Sequence, residues 1–248
     1  MTDEPPHGEP FAAGREADVF ALGPGRVLRR YRNGDDATRE AEVMAYVGGL
    51  GYPVPAVFSA AGADLVMERL DGPTLAQAGL AGRIGLTEGS ELMAGLLRRL
   101  HDLPARSGGA GTIIHLDLHP ENIVLTARGP VVIDWRNAGD GPGDLDTALT
   151  ALILAQVAIG SIEHDLMAGA GEMLDHFVDV APGDPLAMLD EAVAFRRTQS
   201  TMSPDEIAEL GTAAARVRKR RADTHERERP AKPGTANASA NNQQREPG

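Results

Sequence analysis

The sequence predicts an α+β fold in two lobes, a small antiparallel sheet followed by a larger and mainly helical part. Three observations predict it. Short β-like runs crowd the first third of the chain, helical spacing dominates the remainder, and one polar loop set between two apolar strands interrupts the helices. With 248 residues, 42% of them hydrophobic, there is enough apolar material for a buried core.

The elements follow in order. GREADVFAL and RVLRRYR flank Gly23-Pro24-Gly25 as a β-hairpin, and ATREAEVMAYVGGL then places apolar residues at helical spacing and ends on Gly. Tyr52-Pro53-Val54-Pro55 forces an extended segment, and AVFSA and ADLVMERL are two further strands around Gly62. The order β-β-α-β-β defines an N-lobe over 11–70, joined near Glu68 to Gly72 to a C-lobe over 71–221. Apolar spacing in the C-lobe predicts helices over 87–101, 144–160, 162–180, 185–197 and 204–220. The basic run RVRKRR at 216–221 is expected to close the last helix, where positive charge suits its C-terminus. Residues 1–10 and 222–248, poor in large apolar side chains, are expected to be disordered.

Composition narrows the chemistry. There is no Cys, which removes thiolate nucleophiles, thiolate metal sites and disulfides. Net charge is −12, although from Arg216 onward nine Lys or Arg stand against four Asp or Glu, so the acidity lies in the body. An acidic body argues against nucleic acid as a partner; it either favours a cationic small molecule or metal ions or is simply an acidic solvated surface. Glu163, Asp165, Asp190 and Glu191 are candidate contacts for such a cation. The opening MTDEPPHGEP does not read as a secretory signal, and the longest apolar run, 148–160, is too short to span a bilayer. A cytoplasmic protein with no membrane partner is expected.

The segment IIHLDLHPENIVL at 113–125 carries the chemistry. It alternates apolar and polar residues up to Pro120, then resumes an apolar run, the pattern of strand, tight loop and strand. Phosphoryl transfer uses a catalytic Asp followed five residues later by Asn, and Asp117 and Asn122 have that spacing. A second Asp is needed at a strand exit, and Val131-Val132-Ile133-Asp134-Trp135 supplies it. Negative charge on a transferring phosphoryl group calls for Mg²⁺ held by hard oxygens, here Asn122 and Asp134. Asp117 then accepts or orients the proton of an attacking hydroxyl, while His115 and His119 brace the loop.

IIHLDLHPENIVL followed by VVIDW resembles the signature of the aminoglycoside phosphotransferase and choline kinase-like family, small-molecule kinases with a protein-kinase-like fold. In that family the loop commonly reads H-G-D-L-H-x-x-N, and the similarity extends over roughly residues 14–200. The resemblance implies ATP and Mg²⁺ as cofactors and a small-molecule hydroxyl as acceptor. GDLDTAL at 143–149 resembles the family's G-D-P-x-x-D-x-A, which implies that Asp146 caps a helix start and supports the loop. LVMERLDG at 65–72 resembles the hinge strand, which implies adenine contacts from the backbone at Glu68 and Leu70. GREADVF resembles the phosphate-covering loop, with one Gly where a protein kinase shows three. The family usually places a Lys on the third strand, but no Lys occurs here before Lys219. Arg29 is therefore expected to hold the phosphates, with Glu40 as its ion-pair partner and Glu42 as the alternative. A guanidinium fork is not a point charge, so this exchange is not neutral.

Three other readings compete. His115-x-Asp117-x-His119 offers alternating ligands to a metal hydrolase. A nucleotide-binding pseudokinase scaffold is compatible with the missing Lys. A protein kinase fits less well, because the segment from Asp134 to Asp146 is short and contains no A-P-E motif. Neither a G-x-S-x-G elbow nor a G-x-x-x-x-G-K-[ST] loop is present.

Overall fold

The Gly23-Pro24-Gly25 turn reverses the chain as its composition predicts, both glycines adopting the positive φ that a side chain resists. In the computed structural model, which describes residues 9–228 except Phe11, Arg15, Glu163, His164 and Leu166, this turn joins β2 (Ala17–Ala21) to β3 (Arg26–Tyr31). A short β1 (Ala12–Ala13) adds an edge, and β4 (Val57–Ala61) and β5 (Asp64–Glu68) complete an antiparallel sheet ordered β1-β2-β3-β5-β4. Arg29 lies in the middle of β3, opposite Val19 on one side and Leu65 on the other. The helix α1 (Thr38–Gly49) packs Val43, Met44 and Val47 into the core and turns Glu40 toward β3.

The extended Tyr52-Pro53-Val54-Pro55 segment ties the lobes together. Pro53 O accepts from Val132 N at 2.9 Å, and the buried Tyr52 hydroxyl donates to Leu96 O at 3.2 Å. Beyond β5, helix α2 (Leu75–Leu80) starts with a reciprocal Thr74/Gln77 cap, and α3 (Leu86–His101) follows. The polar loop then opens on β6 (Thr112–Ile114) and passes through one 3₁₀ turn at Pro120–Asn122 into β7 (Ile123–Thr126). The two strands flanking the loop belong to different ribbons. β6 pairs with β9 (Gly139–Gly141), and β7 with β8 (Gly129–Val132), which ends two residues before Asp134.

Helix α4 (Gly143–Ala158) is buried continuously from Asp146 to Gln156, so it runs through the middle of the lobe, packed against α5 (Met167–Val180), α6 (Leu189–Arg197) and α8 (Leu210–Glu228). Among the described residues no helix is long and apolar enough to cross a membrane.

Four expectations need correction. The helix expected from residue 162 begins at Met167, and part of the intervening segment lies outside the described residues. The helix expected from Pro185 begins at Leu189, because the Asp184 carboxylate accepts from Leu186 N at 3.0 Å and holds a turn there. The helix expected over 204–220 is two helices, α7 (Pro204–Ala208), started by a Ser203/Glu206 cap, and α8. RVRKRR does not close α8, which continues to Glu228 into the segment expected to be disordered. The reason is tertiary: Arg216 and Arg220 pair with Asp175 and Asp179 of α5, so the positive charge is neutralised across helices.

Candidate active site

The loop between β6 and the 3₁₀ turn is held by one buried carboxylate. Asp146, fully buried in the first turn of α4, accepts from His115 N at 2.8 Å and from Leu116 N at 2.7 Å, with His101 Nε2 at 3.1 Å. It does not cap α4 as the sequence suggested; Pro142 occupies that position, and Asp146 caps the loop instead. Leu116 has φ +64°, a left-handed conformation normally left to glycine, and its N–H is one of the two that Asp146 holds.

His115 is buried, with Nε2 3.1 Å from Ile133 O and its ring edge-on to Trp135 at 4.8 Å. Burial pulls its pKa below the usual imidazole value, against the raising effect of the Asp146, Asp117 and Asp134 carboxylates. Its Nε2 contact connects the loop to the strand exit that carries Asp134. The side-chain amide of Asn122 donates to Asp117 O at 2.9 Å and lies 3.1 Å from His119 Nε2. Its main-chain carbonyl accepts from Ile133 N at 3.0 Å, which fixes the loop against the strand exit that carries Asp134. His119 Nε2 is 3.9 Å from Asp117 Oδ2 and also lowers the pKa of Asp134, so both acids border one region.

Asp134 has φ +65° and accepts from Arg29 Nη2 at 2.5 Å. Burial pushes its carboxyl up, but Arg29, with His115 and His119 adding to it, leaves the pKa lowered. Burial likewise opposes charge on Arg29, yet Asp134 and Glu40 together raise its pKa. Arg29 Nη1 donates to Glu40 Oε1 at 2.9 Å, and the same buried carboxylate accepts from Trp135 N at 3.0 Å and from the Tyr31 hydroxyl. Burial raises the Glu40 pKa in spite of Arg29. Of the two candidate partners for Arg29, Glu40 makes the pair; Glu42 bonds Arg106 at 2.9 Å.

The remaining candidates lie at the lobe junction. The Glu68 side chain is engaged by both Nη atoms of Arg128 and by Ala56 N, and its main-chain N–H donates to Ala56 O at 2.8 Å. Leu70 lies beyond the end of β5, outside the ladder. In GREADVF, Arg15 lies outside the described residues, and Glu16 pairs with Arg136, which also bonds Asp35 at 2.5 Å.

Sequence reasoning missed Arg196. This buried arginine near the end of α6 places Nη1 3.3 Å from Asp117 Oδ1 and Nε 3.2 Å from Gln156 Oε1. Basic residues near a helix C-terminus are ordinary, so nothing in FRR distinguished it.

The donor set suits a hard divalent cation. With the Asn122 amide nitrogen turned to Asp117 and His119, its oxygen is the atom left for a cation, and Asp134 adds a carboxylate. No group of three or more His, Cys, Asp or Glu that could hold a metal ion occurs among the described residues.

A small antiparallel sheet joined to a larger helical lobe, with Asp117, Asn122 and Asp134 near a cation of the sheet, is the architecture of the two-lobed, protein-kinase-like class. The chain belongs to the phosphotransferase enzyme family, whose profile matches residues 7–111 and 105–176. Solved structures share the fold at low identity. The ternary complex of streptomycin, ATP and APH(2'')-IIa aligns with a TM-score of 0.55 at 11% identity, covering 84% of this chain and 90% of that one. An amicoumacin kinase with AMP-PNP, Ca²⁺ and its ligand gives 0.52 at 15%, covering 84% and 87%. A choline/ethanolamine kinase family protein from Mesorhizobium loti gives 0.50 at 16%, covering 91% and 90%. No curated protein matches the sequence.

Proposed function

We propose that this kinase-type phosphotransferase moves the γ-phosphoryl group of ATP to a hydroxyl of a small molecule. The observation that supports it most is a single bonded network, Glu40–Arg29–Asp134 on one side and Asp117–Asn122 on the other, joined through Ile133. In this reading Asp117 accepts the proton of the incoming hydroxyl, and Arg29, oriented by Glu40, holds phosphate oxygens. Main-chain groups at Glu68 and Leu70 bind the adenine. Asn122 and Asp134 hold Mg²⁺, which would neutralise charge developing on the phosphoryl oxygens. His115, His119 and Asp146 keep the loop in place.

Asp117→Asn is expected to lower turnover roughly 10²- to 10⁴-fold with ATP affinity nearly unchanged. Asp134→Asn is expected to abolish the Mg²⁺ dependence of ATP binding. Phosphoryl transfer to a panel of alcohols, amino alcohols, sugars and aminoglycosides, read by mass gain, checks both. Near-normal transfer in both variants would reject the assignment. One observation favours a second reading, a nucleotide-binding scaffold. Arg29 and Asp134, the phosphate and metal holders of the first reading, bond each other at 2.5 Å, so each is already partly engaged without a nucleotide. ATP binding without transfer to any acceptor in the panel would support that reading.

A further inference from the structure

The cavity beside Asp117 has a hydrocarbon wall. Leu86 at the start of α3, Ile153, Leu154 and Val157 from α4, Ile162 after it, and Met173 from α5 line a cavity of about 150 Å³, with Asp117, His119 and Glu121 at the polar end. Positions 153, 154 and 157 share one face of α4, so the wall is a property of that helix rather than of a loop. An aliphatic cavity of about this size accommodates a guest of roughly benzene dimensions.

The polar end is not simply acidic. Arg196 lines the cavity with its guanidinium 3.3 Å from the Asp117 carboxylate. Three of the acids considered as contacts for a cation lie elsewhere: Asp190 pairs with Arg218 at 2.6 Å, and Asp165 and Glu191 are exposed and outside the lining; the fourth, Glu163, is not among the described residues.

We propose that the acceptor is an uncharged alcohol with a hydrocarbon body, its hydroxyl at Asp117 and its apolar part against Ile153, Val157 and Met173. This rests on the reading of Asp117 as the group that receives the acceptor hydroxyl. Two effects select this class. Contact with the wall removes apolar surface from water on both sides. An ammonium group two carbons from the hydroxyl would lose hydration against Ile153, Val157 and Met173, whose side chains offer it no hydrogen-bond partner. In the transfer the alcohol oxygen bonds the γ-phosphorus while the bond to the β,γ-bridging oxygen breaks. ADP leaves with that electron pair, and the hydroxyl proton passes to Asp117.

Choline and its neutral carbon isostere neopentylcarbinol share a shape and differ in charge, so the pair isolates the claim. The full-length enzyme is expected to show a kcat/KM at least about tenfold higher for neopentylcarbinol. Val157→Glu, at a half-buried wall position, is expected to shift that ratio about tenfold toward choline with the KM for ATP unchanged. Preference of the unsubstituted enzyme for choline or kanamycin would overturn the inference and leave phosphotransfer standing. So would a ratio that Val157→Glu does not move. If no alcohol is phosphorylated, yet neopentylcarbinol raises the melting temperature of the unsubstituted protein and not of Val157→Glu, the cavity's chemistry is supported and the phosphotransfer reading fails. Neither transfer nor stabilisation overturns the inference.

Discussion

Leu116 and Asp134 both hold left-handed backbone conformations, which cost a non-glycine residue about 1–2 kcal/mol. Each takes part in a bond at the site. Leu116 N reaches the Asp146 carboxylate, and Asp134 meets Arg29. The resembling family's Gly between His and Asp thereby acquires a physical reason, and Leu is tolerated here because its side chain is buried in the core. His115 adds a pH dependence. Its folded pKa lies below the ordinary value of 6.5, so below that pH the unfolded chain binds a proton that the folded chain resists. Stability from this residue is complete above 6.5 and is lost as the pH falls toward the lowered folded value, by at most about 1.4 kcal/mol per pH unit. Denaturant midpoints for the unsubstituted protein and His115→Gln are expected to converge on acidification. A constant difference from about pH 8 to 5 would show that His115 does not titrate in this way.

At the scale of elements, α4 and α8 bear the most consequence. α4 is apolar around its circumference and buried, so it can carry Asp146 at one end and the cavity wall at the other on a rigid rod. α8 is attached to α5 by charge as well as by Leu210, Ala213, Ala214 and Val217 in the core. Arg220 is buried and meets Asp175 at 3.4 Å and Asp179 at 2.5 Å, whereas the Arg218–Asp190 pair is largely exposed. Arg220→Ala is expected to cost about 1–2 kcal/mol, between the values of exposed and buried pairs, and Arg218→Ala next to nothing. Thermal melts of the two variants decide; equal shifts would mean that burial of Arg220 does not matter.

The whole molecule depends on a junction between lobes. Arg29 and Glu40 come from the sheet lobe, Asp134 and Trp135 from the segment after β8, and they meet in one bonded group. Tyr52 packs edge-on to Trp135 at 5.5 Å behind it. Arg29→Lys keeps the charge but cannot bond Glu40 and Asp134 through two separate nitrogens. Turnover is expected to stay within about tenfold, while the melting temperature falls by about 2–8 °C for a loss of about 1–2 kcal/mol. Complete loss of turnover would show that the planar fork is required for holding phosphate.

The strands of the first lobe, the central apolar helix and the Asp117–Asn122 spacing were legible because they depend on residues near one another in the chain, where turn chemistry and periodicity act. Asp134 was legible for the same reason, as an acid at the end of an apolar run. Arg196 was not, nor was the continuation of α8 past RVRKRR, since both follow from side chains that meet across 79 and 41 residues of sequence. By itself, then, the sequence determined the family, the four main strands and helix of the first lobe, and the polar loop. The tertiary structure alone decided which cation faces Asp117, that Asp146 caps a loop rather than its helix, and that the cavity is walled by hydrocarbon. The physical reason is that pairing and burial depend on distances in space that the packing of α4, α5 and α6 sets.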